Sequence, residues 1–231
     1  MNSKFDQYIV AARDLKELLT EKPETVLIDL LSTDHFASRH ISGAQNACVF
    51  QVSFLEDLAI IAPDKQVPIV VYGASINSRD AAMALEKMDR AGYEHVTYLE
   101  GGLEAWRGAG YDLEGEAPDQ HDDPQTKVAL PDGRYSVDAD VSQVEWAGRN
   151  PNTRHIGTVD IAKGVIDIKD RTITGTVEID MDTIHNINLE CDELQPVLEA
   201  HLRSDDFFFT KIFPKAVFTF KKATPIEPGW L

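Results

Sequence analysis

The sequence predicts an α/β domain with a parallel sheet, followed by a domain of antiparallel strands. In the first half, short β-rich apolar runs alternate with amphipathic stretches, as expected for strands joined by crossover helices. Residues 112–131 are rich in Asp, Glu, Pro and Gly and have no apolar periodicity. Beyond them apolar and polar residues alternate singly, which favours an antiparallel sheet with one solvated face. We therefore predict domains at 1–111 and 132–231, joined by an acidic linker at 112–131.

Composition narrows the classes of function. The chain has 231 residues and a formal net charge of −17, which argues against binding nucleic acid or anionic lipid surfaces. The first residues carry no apolar secretion signal, and no apolar run is long enough to span a bilayer, so we expect a cytoplasmic location and no membrane span. Cys48 and Cys191 form no CxxC motif, so we expect structural thiols and predict neither a metal nor a cofactor.

The elements of the first half follow from local patterns. Three β-rich apolar runs are predicted as strands: Val26–Leu31, Val67–Tyr72 and Val96–Leu99. Three amphipathic stretches are predicted as helices: Ala11–Leu19, Phe54–Ile61 and Ser78–Ala91. Gly92 is expected to end the last helix, because glycine readily takes the left-handed conformation found after helix C-termini.

The second half is predicted to be mainly strands. The alternating segment Val159–Met181 contains two turn signals, Lys163-Gly164 and Lys169-Asp170. Within it, one strand face is predicted to carry Val177, Ile179 and Met181, and the other Thr176, Glu178 and Asp180. A helix at Leu194–Leu202 and a strand at Ala216–Lys221 complete the prediction.

Residues 8–111 resemble the rhodanese family, which implies a three-layer α/β domain around a parallel sheet. The matching stretches are Val26–Asp29, His40–Ala44, Ile69–Tyr72, Gly92-Tyr93 and, most specifically, Leu99–Trp106. In that family a cysteine directly follows the central strand and carries sulfur as a persulfide held by loop N–H groups. Here Gly73 stands at that position, so the resemblance implies a non-catalytic binding module and no sulfurtransferase enzyme.

The loop departs from the family at several points. It comprises Gly73, Ala74, Ser75, Ile76, Asn77, Ser78 and Arg79. The arginine that closes the family loop falls on Ser78, with Arg79 one position later, and the Asp-Arg pair after the first strand reads Asp29-Leu30. We expect Ser78 to cap the following helix. The N–H groups of the loop still predict a weak site for an anion or a peptide carboxylate.

Two catalytic alternatives remain open at this point. Ser75 or Ser78 would serve as a nucleophile if a histidine lay beside it in the fold. A cryptic sulfurtransferase would use a cysteine outside the loop, and Cys48 is the candidate, although we expect it to be a small buried apolar residue. Trp106 is predicted in the core, and neither His35 nor His40 is expected to be catalytic.

From Gly133 onward the chain resembles a YceI-like domain, which implies a lipocalin-like antiparallel β-barrel whose lumen binds polyisoprenoids or other long lipids. The matching stretches are Tyr135–Asp138, Val144–Trp146, His155–Val159, Ile179–Ile184, His201–Phe208, Phe213–Ala216 and Phe218–Phe220. The candidate interior residues are Val159, Ile161, Val177, Ile179, Phe218 and Phe220. His155, His185 and His201 lack the spacing of zinc motifs, so no metal site is predicted.

The barrel is expected to be incomplete, because the chain ends at Leu231 soon after the strand at Ala216–Lys221. We expect a truncated sequence. The alternatives are that another copy supplies the missing strands, or that this half is only marginally stable. A third interpretation makes both halves scaffolds for a basic protein partner, selected by the acidic surface.

Overall fold

The computed structural model describes residues 9–76, 78–121, 131–149, 153–190 and 192–223. The chain divides into two compact units, Met1–Pro124 and Gln125–Leu231. The first unit contains a five-stranded parallel sheet with the strand order β1-β5-β4-β2-β3. Its strands are β1 (Ile9–Val10), β2 (Val26–Asp29), β3 (Gln45–Asn46), β4 (Ile69–Tyr72) and β5 (Val96–Leu99).

Helices cover both faces of this sheet. They are α1 (Ala12–Glu21), α2 (Thr33–Ser38), α3 (Phe54–Ile61), α4 (Asp80–Ala91) and α5 (Gly102–Gly108). Successive residues of β4 point to opposite faces, so Val71 packs with α3 and α4, whereas Val70 packs with α1 and α5. Two apolar clusters result, one on each side of the sheet. This arrangement confirms the predicted three-layer α/β domain.

The helix at Phe54–Ile61 and the strand at Val96–Leu99 have their predicted bounds, and the other helices and strands predicted with bounds shift by up to two residues at their ends. Gly92 ends α4 with a φ of 85°, as predicted. Helix α4 begins at Asp80, two residues later than expected, and its N-cap residue is Arg79. The predicted capping role of Ser78 is therefore wrong. Its Oγ, one residue before the cap, accepts the Asp80 N–H at 3.4 Å.

The first residues of the predicted linker lie against the first unit. The backbones of His40 and Glu114 exchange two hydrogen bonds of 2.8 Å, and the Ala117 N–H donates to the Ser38 carbonyl. The Arg107 guanidinium donates to carbonyls at 118 and 120. Residues 112–121 are thus attached to the α/β domain, and 122–130 lie outside the described residues. The domain boundary at 111 stays a prediction.

The second unit contains a six-stranded antiparallel sheet. Its strands are β6 (Gly133–Ser136), β7 (Gln143–Arg149), β8 (Arg154–Lys169), β9 (Thr172–Asp180), β10 (His185–Asn186) and β11 (Lys215–Ala223). The order is β10-β8-β9-β11, and β6 and β7 also pair with β8. Helix α6 (Gln195–Arg203) packs over one face through Leu198 and Leu202. The strands described here do not close into a barrel.

Strand β8 is longer than predicted and contains no turn at Lys163-Gly164. It runs for 16 residues and has a β-bulge between Ile161 and Lys163. A Cβ atom on Gly164 would lie 2.6 Å from Cγ2 of Val137, so the glycine makes room for cross-strand packing. The prediction of a turn was therefore wrong there. The second signal is confirmed, since Asp170 and Arg171 adopt the positive φ values of a two-residue hairpin turn.

None of the helices in the described part of the chain has the length and apolar character needed to cross a bilayer.

Candidate functional sites

The loop after β4 lies where open α/β sheets usually bind ligands. Gly73 directly follows β4, the central strand, and β2 is the neighbour of β4. After β4 the chain continues to β5, toward one edge of the sheet, whereas after β2 it continues to β3, at the opposite edge. The carboxyl ends of these two strands therefore form a topological switch point. Asn77 lies outside the described residues.

Helix α5 holds the first part of this loop through backbone contacts. The Leu103 N–H donates to the Gly73 carbonyl at 2.9 Å, and the Glu104 N–H donates to the Ala74 carbonyl at 3.2 Å. Gly101 and Gly102 have φ values of 71° and 58°, and a Cβ on Gly102 would lie 2.3 Å from the Gly73 carbonyl oxygen. The paired glycines of the Leu99–Trp106 motif thus allow the close approach of the helix to the loop.

The space beside Gly73 is occupied by the carboxylate of Asp80. This residue is only 1% exposed. Its Oδ2 accepts the Ala74 N–H at 3.0 Å, and its Oδ1 accepts the Ala81 N–H at 2.7 Å. A Cβ atom added to Gly73 would lie 1.9 to 2.0 Å from the three carboxyl atoms. The sequence analysis missed Asp80, because an acidic residue in the first turn of a helix is an ordinary feature.

A pocket of about 120 Å³ opens beside the loop. It is bounded by the loop, the start of α4, the end of β5 and the start of α5, through residues that include Ser75, Ile76, Ser78, Tyr98 and Gly101. Ile76 is exposed and Ser75 and Ser78 are half-buried. Four of the predicted loop residues therefore lie together around one opening: Gly73, Ser75, Ile76 and Ser78. Ala74 does not line it, and Arg79 is exposed at the start of α4.

The other candidate nucleophile of the first unit is inaccessible. Cys48 is 5% exposed, and its neighbours Ala47 and Val49 belong to the apolar core. The expectation of a small buried residue is confirmed for Cys48, and Cys191 lies outside the described residues. The His40 ring has its Nδ1 2.7 Å from the Phe36 carbonyl oxygen and stacks on the Phe36 ring.

A buried acid lies next to the loop on β2. Asp29 pairs with Tyr72 in the sheet register and is fully buried. Its Oδ1 accepts the Leu31 N–H at 2.8 Å. Burial raises the pKa of Asp29 above its ordinary value of 3.8, while the Leu31 N–H acts in the opposite direction. Burial also raises the pKa of Tyr72, whose hydroxyl accepts the Ile41 N–H.

This shift predicts how Asp29→Asn changes stability with pH. A raised pKa in the folded state gives a stabilising contribution that is present below pH 3.8 and is lost as pH rises through the raised value. The amide stays neutral, so the variant should become more stable than the wild type as pH rises toward 7. Thermal unfolding measured across this range checks the prediction.

Asp14→Asn, at an exposed position of α1, controls for the removal of one negative charge. A stability difference between the Asp29 variant and the wild type that does not change with pH would contradict the prediction.

In the second unit, the six candidate interior residues share one face of the sheet. Val177 pairs with Phe218, and Ile179 pairs with Ile161. Val159 and Phe220 lie two positions from these partners and point to the same side. Exposure increases along this face, from 6% at Val159 beside α6 to 61% at Phe218. The face is apolar and partly uncovered, and its role in ligand binding stays a prediction.

The three histidines have separate neighbours. His185 Nδ1 lies 3.1 Å from Glu199 Oε1, and the His201 ring contacts Phe207, while His155 lies in β8. Within 9–223, leaving aside the gaps, no group of three His, Cys, Asp or Glu side chains is placed to hold a metal ion.

Two family models match the chain. The rhodanese-like domain matches residues 11–109, and the YceI-like domain matches residues 135–229. No curated protein matches the chain.

Similar solved structures include the BH2092 protein from Bacillus halodurans, with 22% identity over 50% of this chain and 82% of that chain at a TM-score of 0.45. The rhodanese-like domain of the Alr3790 protein from Anabaena has 29% identity over 54% and 94%, at 0.43. Thiosulfate sulfurtransferase from Pseudomonas aeruginosa has 29% identity over 47% and 20%, at 0.41.

Proposed function

We propose that this chain, in which a rhodanese-like domain precedes a YceI-like domain, is a non-catalytic binding protein that transfers no sulfur. The observation that carries the proposal is the glycine after the central strand. Sulfur transfer at this position needs a thiolate as the nucleophile, and Gly73 has no side chain. The buried position of Cys48 argues against a substitute nucleophile, since a sulfur donor has no access to it.

A thiosulfate-to-cyanide assay on the full chain tests this proposal. We expect the wild type to give no thiocyanate above the background without protein, and no protein-bound sulfur in mass spectra after incubation with thiosulfate. Cys48→Ala is the informative variant. Wild-type turnover that Cys48→Ala abolishes would establish the cryptic sulfurtransferase and overturn the proposed function.

For the YceI-like domain we propose binding of a long-chain isoprenoid or similar lipid on the apolar face of β8, β9 and β11. Support comes from the register, which places Val177, Ile179 and Phe218 on one side, and from the exposure of Phe218. Covering such a face with a lipid chain is favourable by about 25 cal/mol for each Å² of apolar surface removed from water. The family resemblance favours an isoprenoid among the lipids that would fit.

Two adjacent substitutions on β9 test this site. Val177 faces the apolar side, whereas Thr176 faces the opposite side and is exposed. We expect Val177→Asp to lower retention of octaprenol by about tenfold or more, because a charge beside the lipid must be desolvated. Thr176→Asp should leave retention unchanged. The measurement is the lipid-to-protein ratio after gel filtration of the full chain loaded from detergent micelles.

Palmitate, loaded in the same way, tests whether the site prefers isoprenoids. Failure of the wild type to retain either lipid, or equal losses from both variants with circular dichroism unchanged, would reject the site.

A further inference from the structure

We propose that Asp80 is an internal ligand of the rhodanese-type loop and that its carboxylate excludes any side chain at position 73. The proposal builds on the proposed absence of sulfur transfer at this loop. It adds that the residue at position 73 is coupled to the residue at position 80. In this chain the Ala74 N–H of the loop already binds an anion, and that anion is a side chain of the protein.

The carboxylate is held by directed contacts in a buried position. Oδ2 accepts the Ala74 N–H at 3.0 Å and Oδ1 accepts the Ala81 N–H at 2.7 Å. Both donors belong to the loop or to the first turn of α4, where the helix dipole favours negative charge. Burying a carboxylate without such donors would cost free energy. The two hydrogen bonds therefore stabilise the Asp80 side chain in this one position.

The same arrangement leaves no room at position 73. The three atoms nearest to an added Cβ are Cγ, Oδ1 and Oδ2 of Asp80, at 1.9 to 2.0 Å. The carboxylate would move away only by giving up its two N–H donors inside a buried space. On the other side, α5 holds the Gly73 carbonyl through the Leu103 N–H, which restricts movement of the loop backbone. A side chain at 73 and the carboxylate at 80 therefore exclude each other.

One consequence is that Gly73→Cys alone does not restore sulfur transfer. In the reaction, a thiolate takes the outer sulfur of thiosulfate as sulfite leaves, and cyanide then removes that sulfur as thiocyanate and regenerates the thiolate. A carboxylate pushed aside by the new side chain still lies next to the thiol, where its charge disfavours the thiolate form and repels thiosulfate. Asp80→Ala removes this charge and leaves no side-chain atom beyond Cβ in the space beside position 73.

The first test is a double-mutant cycle on the full chain, measured by thermal unfolding and by hydrogen exchange of the 73–82 segment. We expect Gly73→Ala to lower the midpoint of the α/β domain by about 5–10 °C. In the Asp80→Ala background, which has no atom at the γ position, the same change should cost less than about 2 °C. Gly108→Ala is the control, since Gly108 is exposed and no atom of the described chain lies within 4 Å of an added Cβ. Equal costs in the two backgrounds would overturn the proposal.

The second test follows the introduced thiol. Alkylation by iodoacetamide, assigned by peptide mapping to separate it from the native cysteines, should be at least about tenfold faster in Gly73→Cys with Asp80→Ala than in Gly73→Cys alone, because the negative charge that disfavours the thiolate is gone. Thiosulfate should load sulfur onto the double variant only. Equal reactivity in both variants overturns the proposal.

The two proposals fail separately. Turnover of thiosulfate by the wild type would contradict the proposal that the chain transfers no sulfur. The double-mutant cycle uses no sulfur donor and measures only the coupling of positions 73 and 80.

Discussion

Replacing Gly157 by alanine is expected to lower the free energy of unfolding of the second unit by about 3 kcal/mol. Gly157 lies in β8, between Trp146 on β7 and Asn186 on β10 in the sheet register. An added Cβ would lie 1.9 Å from the His185 carbonyl oxygen and 2.5 Å from Cζ2 of Trp146. The carbonyl belongs to a paired strand, so relief requires a shift of the backbone.

The indole of Trp146 adds to this cost, because its Nε1 donates to the Thr158 carbonyl at 3.1 Å and this bond fixes the ring over the glycine. Urea unfolding of the full chain, followed by tryptophan fluorescence, measures the loss.

Gly148→Ala is the matched control for this prediction. Gly148 lies on β7 near the same indole, but an added Cβ would meet its nearest atom, Cζ3 of Trp146, at 3.9 Å. Since that is an ordinary contact, alanine should be neutral or stabilise by up to about 1 kcal/mol through the unfolded state. A loss at Gly148 as large as that at Gly157 would contradict the steric argument.

Gly102→Ala should destabilise the first unit by about 3 kcal/mol. Two costs combine at this position. Gly102 has a φ of 58°, which is unfavourable for residues with a Cβ, and the Cβ would lie 2.3 Å from the Gly73 carbonyl oxygen. To relieve this close contact, the loop must move away from α5, which weakens the 2.9 Å hydrogen bond from the Leu103 N–H to the Gly73 carbonyl.

Two neighbouring glycines separate these costs. Gly110 has a φ of 82°, and the described chain places no atom within 4 Å of its added Cβ, so Gly110→Ala should cost about 1 kcal/mol from the backbone alone. Gly108→Ala carries neither cost and should be neutral. Unfolding of the full chain by urea ranks the three variants. The expected order of loss is Gly102, Gly110, Gly108, and equal losses at Gly102 and Gly110 would rule out the contact with the loop.

Local patterns predicted most regular elements of both units. The central strands of the first unit are buried on both faces, so Ile69–Tyr72 forms a continuous apolar run that is readable in sequence. The short edge strands Ile9–Val10 and Gln45–Asn46 were missed, because two residues are too few to show a period. Lys163-Gly164 has the composition of a turn and lies in a strand, since pairing with β9 and packing against Val137 outweigh local preference.

By itself, the sequence determined that position 73 carries no nucleophile and that an α/β domain precedes an antiparallel one, because side-chain chemistry and hydrophobic period are local properties. The tertiary structure alone decided that Asp80 fills the space beside Gly73, that Cys48 is buried, and that Val177 and Phe218 face the same side. These depend on strand register and on contacts between segments distant in the chain. No local period encodes such contacts, so they become visible only when the chain is packed.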